Sequence, residues 1–376
     1  MKSIHDLLED AIRVRASDLI VKAGSPPILR VNGRIQLMDM APVTPSEAEE
    51  LGMSVRLSAA RDRILRYGHE AVPEEEPTAF GRESLVDEQD LVFTIPGLVR
   101  VRGSVYLQHG TVAAALRIIP LHPYTIDELE LPSALKTLCT LRSGLILVTG
   151  PTGCGKSTTL AAMIEQINRE RRANIITIED PIEYVFEDKL AVIQQREVGK
   201  DTRSFAAALT AVMRQSPDVI MVGEMRDLDA MEATLAAAEV GHLVMSTLHT
   251  TTAPAAVDRI INAFPPHHKP KIVTQLANSL AGIIAQRLVN RSDGSGRIAA
   301  VEIMTGSPTV CKLIEEGNTG DLPTTIREGS HYGMVTMNQS LAQLVESGTI
   351  SVEEALENTP NVGELRQLLR QAGVLT

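Results

Sequence analysis

The segment Gly150-Pro-Thr-Gly-Cys-Gly-Lys156-Ser157 constrains this chain more than any other, because the pattern G-x-x-x-x-G-K-S needs a strand before it and a helix after it. Leu145–Val148 is the strand, four consecutive apolar residues. From Thr158 onward Leu160, Met163, Ile164 and Ile167 recur at i, i+3, i+4 and i+7, which predicts a helix with one apolar face. Gly150, Pro151, Thr152, Gly153, Cys154 and Gly155, with Lys156, Ser157 and Thr158, therefore form a candidate loop for binding a nucleoside triphosphate. Its backbone N–H groups converge on phosphate oxygens and the helix N-terminus adds a favourable dipole. Lys156 is expected to neutralise β/γ-phosphate charge, and Ser157 to ligate Mg²⁺.

Three more apolar runs follow, Ile175–Ile178, Val219–Val222 and Leu243–Met245, alternating with helical patterns. That alternation predicts an α/β domain whose central strands are largely parallel. The carboxyl ends of such strands line the ligand crevice. Glu179, with Asp180 and Glu183, and Glu224 each follow one of these strands, so both acid groups are expected to face the loop. One carboxylate can hold Mg²⁺ through water while another polarises the attacking water. Gly223 stands where many P-loop enzymes place a metal-binding Asp, which favours Glu224 for the metal and Glu179 for the base, with the reverse assignment open. His249, just beyond Leu243–Thr247, is either a structural residue at a strand end or one that can report whether the γ-phosphate is present. His242 and His249 lack a familiar metal-ligand spacing, so no metal site built from protein ligands alone is expected.

The first ~118 residues differ in character. Asn32-Gly33 between Ile28–Val31 and Arg34–Met38 is a strong hairpin signal, since both turn positions call for positive φ. Val99, Val101, Val105 and Leu107 alternate with mostly polar residues, as in a half-buried strand, and His109-Gly110 turns into a second strand ending near Ile119. The acidic stretch Val72–Thr78 reads as a solvated loop. Pro120, Pro123 and Pro132 mark the boundary that follows. Asp293-Gly294 marks a later hairpin, and Ser351-x-x-Glu354 opens one of several short C-terminal helices as a capping box.

Composition removes several alternatives. Lys and Arg number 36 against 47 Asp and Glu, a net charge of −11, and there are no Trp, five Tyr and five Phe. A generic nucleic-acid partner needs clustered basic charge and stacking platforms, so none is expected. No apolar run approaches the ~18–20 residues that span a bilayer. Acidic residues in the first ten positions interrupt any signal-peptide pattern, so a cytoplasmic location is expected. The three scattered cysteines, Cys139, Cys154 and Cys311, argue against a disulfide framework or a cysteine zinc site. Cys154, beside a helix N-terminus, is either a small loop residue or a thiol with a lowered pKa.

Taken in order, Ser17-Asp-Leu-Ile, the P-loop, Ile176-Thr-Ile-Glu-Asp-Pro-Ile-Glu183, Gln195-Arg-Glu-Val-Gly199, Arg214–Asp227 and the histidine box His242–His249 resemble the type IV pilus retraction ATPases of the PilT type. These lie within the secretion ATPase superfamily. The resemblance runs from Ser17 to Leu365. It implies a PAS-like α+β N-terminal domain (1–118), a linker (119–134), a RecA-like P-loop ATPase core (135–300) and a mainly helical C-terminal region (301–376). It further implies a homo-hexamer that hydrolyses ATP with Mg²⁺ to depolymerise pilin filaments. Such a ring works at the cytoplasmic face of the inner membrane, on a pilus platform protein and in some systems beside a sister pilus ATPase. The family's Ala-Ile-Arg-Asn-Leu-Ile stretch is Thr309-Val-Cys-Lys-Leu-Ile314 here, and an accessory motor of the PilU type is the near neighbour. Assembly ATPases commonly carry a four-cysteine module, which three scattered cysteines cannot supply.

The resemblance also implies that the N-terminal domain closes over ATP held by its own or a neighbouring core. Phosphoryl transfer spreads negative charge that an arginine can stabilise. Arg102, which shares a strand face with Arg100, and Arg117 are the candidates, with Arg196 and Arg214 as competitors from the core. Two other readings stand beside the motor: a regulatory subunit docking on a sister ATPase, and a nucleic-acid translocase, which composition disfavours.

Overall fold

The computed structural model describes residues 2–67 and 89–375, so the acidic stretch Val72–Thr78 lies outside the described residues. The chain divides into two compact units, Met1–His122 and Pro123–Thr376.

The first unit is an antiparallel sheet of β1 (Asp18–Lys22), β2 (Ile28–Val31), β3 (Arg34–Leu37), β4 (Gln89–Ile95), β5 (Val99–Gln108) and β6 (Thr111–Ile119). The spatial order is β3-β2-β1-β6-β5-β4. Both two-residue turns read from the sequence are present: Asn32 and Gly33 have φ of 51° and 79°, His109 and Gly110 of 49° and 72°. Positive φ at both centres matches the right-handed twist of the strands they join. Alternate residues Val99, Val101 and Val105 of β5, with Leu19 and Leu116, pack with Leu7 and Leu8 of the helix Ile4–Arg13 and Val55 of the helix Pro45–Tyr67.

The second unit holds β7 (Gly144–Thr149), β8 (Asn174–Glu179), β9 (Val192–Glu197), β10 (Val219–Val222), β11 (Leu243–Leu248), β12 (Leu280–Asn290) and β13 (Arg297–Thr305). Their order is β13-β12-β7-β11-β10-β8-β9. All neighbours are parallel except β12 and β13, which form the antiparallel hairpin turned at Gly294. The four apolar runs are the four central strands, as the alternation predicts. Leu145 and Leu147 enter one core cluster while Ile146 and Val148 enter another, so both sheet faces are covered. Fully buried parallel strands read as continuous apolar runs for this reason. Each fully buried Leu or Ile contributes about 1.5–3 kcal/mol.

The fold differs from the sequence reading at two places. Strand β9 has no apolar run to announce it; its Gln194, Gln195 and Arg196 pair by backbone with Ile176, Thr177 and Ile178 at the sheet edge. Ser351 does cap the helix Val352–Asn358, accepting from Glu354 N–H, but the Glu354 carboxylate turns to Asn290 instead of closing a capping box. Helices Pro308–Glu315, Leu322–Glu328, Met337–Glu346, Val352–Asn358 and Val362–Gln371 complete the chain. Those from Met337 onward share a small core with Val289 and Ile298 of the β12–β13 hairpin.

Candidate active site

Strand β7 delivers the chain into the loop, where Gly150, Gly153 and Gly155 have φ of 147°, 79° and 90°. At Gly150 space also matters: a Cβ would lie 2.4 Å from the Gln286 carbonyl oxygen and 2.6 Å from Cys154 Sγ. Gly155 is the N-cap of the helix Lys156–Glu170 and brings no capping side chain. The amides of the first turn are therefore left for a ligand, and an anion is what they favour. Pro151, Thr152, Gly153 and Ser157 are exposed along the loop, while Thr158 Oγ1 lies 3.1 Å from the Tyr184 hydroxyl.

Lys156 is buried. Its Nζ donates to the carbonyl oxygens of Gly150 (2.9 Å) and Pro151 (3.1 Å) and stands 3.4 Å from His249 Nδ1. A full cation held by neutral acceptors at the foot of an amide-rich loop suits a polyphosphate. On its other side His249 places Nε2 2.9 Å from Glu224 Oε1. Arg226 Nε donates to Glu224 Oε2 at 2.8 Å, and its Nη1 reaches Asp180 Oδ2 at 3.1 Å. The Glu224 hydrogen bond is the main reason the Arg226 guanidinium is held above its ordinary pKa. The structure thus joins Lys156, His249 and Glu224, three of the expected site residues, in one chain of contacts.

Glu179 belongs to a different network. It is 7% exposed, and burial pushes its carboxyl up to about 7. Hydrogen bonds from Thr177 Oγ1 (2.6 Å) and Gln195 Nε2 (3.0 Å) hold the ionised form but do not offset the burial. Gln195 stands opposite Thr177 across the β8–β9 pair, so the unannounced edge strand builds part of the site.

The structure decides between the two readings of Cys154. Cys154 is buried and its thiol is pushed up by that burial, which outweighs the lowering influence of Lys156, so the lowered-pKa alternative does not hold. Arg100 is buried and donates to Thr94 Oγ1 at 3.2 Å, unlike the more exposed Arg102 on the same strand face. Arg102 and Arg117 are direct cross-strand partners, and Arg117 Nε lies 3.4 Å from Asp18 Oδ1. In the core, Arg196 Nη2 donates to the Asp201 carbonyl at 3.1 Å and Arg214 is exposed.

Residues missed in the sequence complete the picture. Thr149 Oγ1 accepts from Thr250 N–H at 2.9 Å and lies 2.7 Å from Thr250 Oγ1, anchoring the loop that carries His249 to the end of β7. A separate cleft of about 500 Å³, between Arg142, Arg171, Arg172, Asp218 and His242, opens at the amino ends of the strands, away from the loop. His242 is held there, with Nδ1 2.9 Å from the Pro217 carbonyl oxygen.

Residues 114–371 match the family described as type II/IV secretion system protein. The type IV pilus retraction ATPase PilT of Pseudomonas aeruginosa is 39% identical over 94% of this chain and 97% of its own. The type IV pilus ATPase PilU of the same organism is 36% identical over 97% of this chain and 90% of its own. A crystal structure of the pilus retraction motor PilT with bound ADP aligns with a TM-score of 0.80 at 40% identity, covering 98% of this chain and 100% of the other.

Proposed function

Because the chain belongs to the type II/IV secretion system protein family, we propose that it is an ATP-hydrolysing motor that powers type IV pilus retraction. The observation that carries the ATPase reading is the contact chain from Lys156 through His249 to Glu224 at the mouth of a nucleotide-binding loop. The loop amides and Lys156 bind and orient the phosphates. Lys156 exchanges its carbonyl partners for phosphate oxygens, and His249 passes that change on to Glu224. Glu179 takes the proton of the attacking water, a role suited to a carboxyl whose pKa lies near the working pH. Ser157 and, through water, Glu224 would hold Mg²⁺, which neutralises charge on the phosphates when bound. Arg102 and Arg117 supply cationic charge from an N-terminal domain.

The working assembly is a homo-hexamer at the cytoplasmic face of the inner membrane, engaged with a platform protein and without a nucleic-acid partner. Among the described residues no helix is long and apolar enough to cross a membrane. Its parts are the N-terminal domain (1–118), the linker (119–134), the ATPase core (135–300) and the helical region (301–376). A second reading, an accessory motor docking on a sister ATPase, is favoured by the PilU relative and by Thr309–Ile314.

Phosphate release by the purified chain, with and without DNA, tests the enzyme. Pilus retraction in a deletion strain tests the motor. Turnover that appears only with DNA would overturn the pilus reading, and retraction that persists without the gene would favour the accessory.

A further inference from the structure

We infer that Gln286 is a positioning residue for the phosphate loop, fixing the peptide between Cys154 and Gly155 in the orientation that phosphate binding needs; this rests on the loop being the ATP site. Gln286 lies in the middle of β12 beside Ile283, Ile284 and Ala285, and it is 3% exposed. A buried amide in an apolar strand is costly unless both of its ends are bonded. Both ends are, and both partners belong to the loop and its helix. Nε2 donates to the Cys154 carbonyl oxygen at 2.6 Å, and Oε1 accepts from Thr159 Oγ1 at 2.7 Å. A carbonyl can only accept, so the amide nitrogen must face Cys154 and the oxygen must face Thr159. The backbone of Gln286 braces the loop's first residue as well, since its carbonyl oxygen is the atom that a Cβ at Gly150 would strike.

The consequence follows from peptide geometry. In a planar trans peptide the Cys154 carbonyl and the Gly155 N–H point in opposite directions. Pinning the carbonyl toward β12 aims the N–H away from β12, toward the open side of the loop. Gly155, at φ 90° and without a Cβ, rotates at little steric cost, so its orientation has to be imposed from outside. Were this peptide to flip, a carbonyl oxygen would replace an N–H at the phosphates, exchanging attraction for repulsion. Thr159 fixes the same amide to the first turn of the helix, which keeps loop and helix in register.

The loop grips ground state and transition state alike, so losing the brace should raise KM and leave kcat nearly unchanged. Gln286→Met keeps length and bulk but removes both hydrogen bonds. We expect ADP affinity, measured by calorimetry, to fall about tenfold, the ATP KM to rise by a similar factor, and kcat to stay within about twofold. Thr159→Val, a near-isosteric change, should lower ADP affinity in the same direction but less. It remains decisive if Gln286→Met does not fold. Unchanged ADP affinity and KM in the folded variants, or a lower melting temperature with unchanged affinity per folded molecule, would overturn the inference. Failure of the unaltered protein to bind ADP would overturn the reading of the loop itself, and is told apart by that control.

Discussion

His249 offers its two ring nitrogens to opposite charges: Nδ1 stands 3.4 Å from Lys156 Nζ and Nε2 2.9 Å from Glu224 Oε1. An ammonium can only donate and a carboxylate can only accept. The arrangement is therefore satisfied by one form of the ring, the neutral tautomer with hydrogen on Nε2. A doubly protonated ring would set an N–H against the ammonium. His249→Ala should uncouple the two ends, leaving ADP affinity close to that of the unaltered protein and lowering turnover. Calorimetry alongside phosphate release checks this, and unaltered turnover would refute it.

Lys156→Ala removes the cation at the foot of the loop. Turnover should fall below detection and ATP affinity should weaken. Because the carbonyls of Gly150 and Pro151 lose their donor, the loop should also be less well ordered before nucleotide arrives. Retained hydrolysis would mean that another cation serves the phosphates.

The two acids can be separated by paired substitutions. Glu179→Gln should cut turnover by ~10²–10⁴, the range for loss of a general base, while ATP stays bound. Glu224→Gln should likewise leave ATP bound but largely unhydrolysed, and should raise the Mg²⁺ concentration needed for half-maximal rate. Near-normal turnover in Glu224→Gln would show that this carboxylate only positions His249.

Burial of Glu179 also sets a pH dependence. Its folded pKa, about 7, lies above the ordinary 4.5, so the native state holds a proton that the unfolded chain releases. Its stabilising contribution is present below pH 4.5 and is lost as pH rises to about 7, by roughly 3 kcal/mol at most. Turnover should change in the opposite sense, climbing as the base ionises near pH 7. Glu179→Gln should flatten both dependences, measured by denaturant titration and by kcat against pH. A native protein with no loss of stability across this window would refute the burial argument.

Arg102→Ala and Arg117→Ala should each reduce turnover without changing the oligomeric state. If the arginine acts across subunits, mixing Arg117→Ala with Lys156→Ala chains should restore part of the activity, since some interfaces then pair an intact loop with an intact arginine. Full activity in both single variants would reduce this strand face, with its Arg117–Asp18 pair, to a surface feature.

Much of this was legible in the sequence because the loop, the four apolar strands and the turns at Asn32-Gly33, His109-Gly110 and Asp293-Gly294 each depend on local chemistry. Lys156, Glu179, Glu224 and His249 could be placed because parallel strands end on one side. Partners set by lateral pairing could not. Gln195 reaches Glu179 only because β9 pairs with β8, and Gln286 reaches Cys154 only because β12 lies beside β7. A glutamine closing the apolar run Ile283-Ile-Ala was the available signal for the second. Both readings of Cys154 stay open in the sequence for a similar reason: proximity to a helix start is visible there, but burial is not.

That burial has a practical side. The Cys139 thiol is pushed up to about 12, and those of Cys154 and Cys311 are raised too, each chiefly by desolvation. Thiolate is the form that reacts with maleimides and peroxides. At neutral pH all three native cysteines should be slow toward either reagent. A fluorophore could then be placed on an introduced surface cysteine with the native three left in place, Cys154 of the phosphate loop among them.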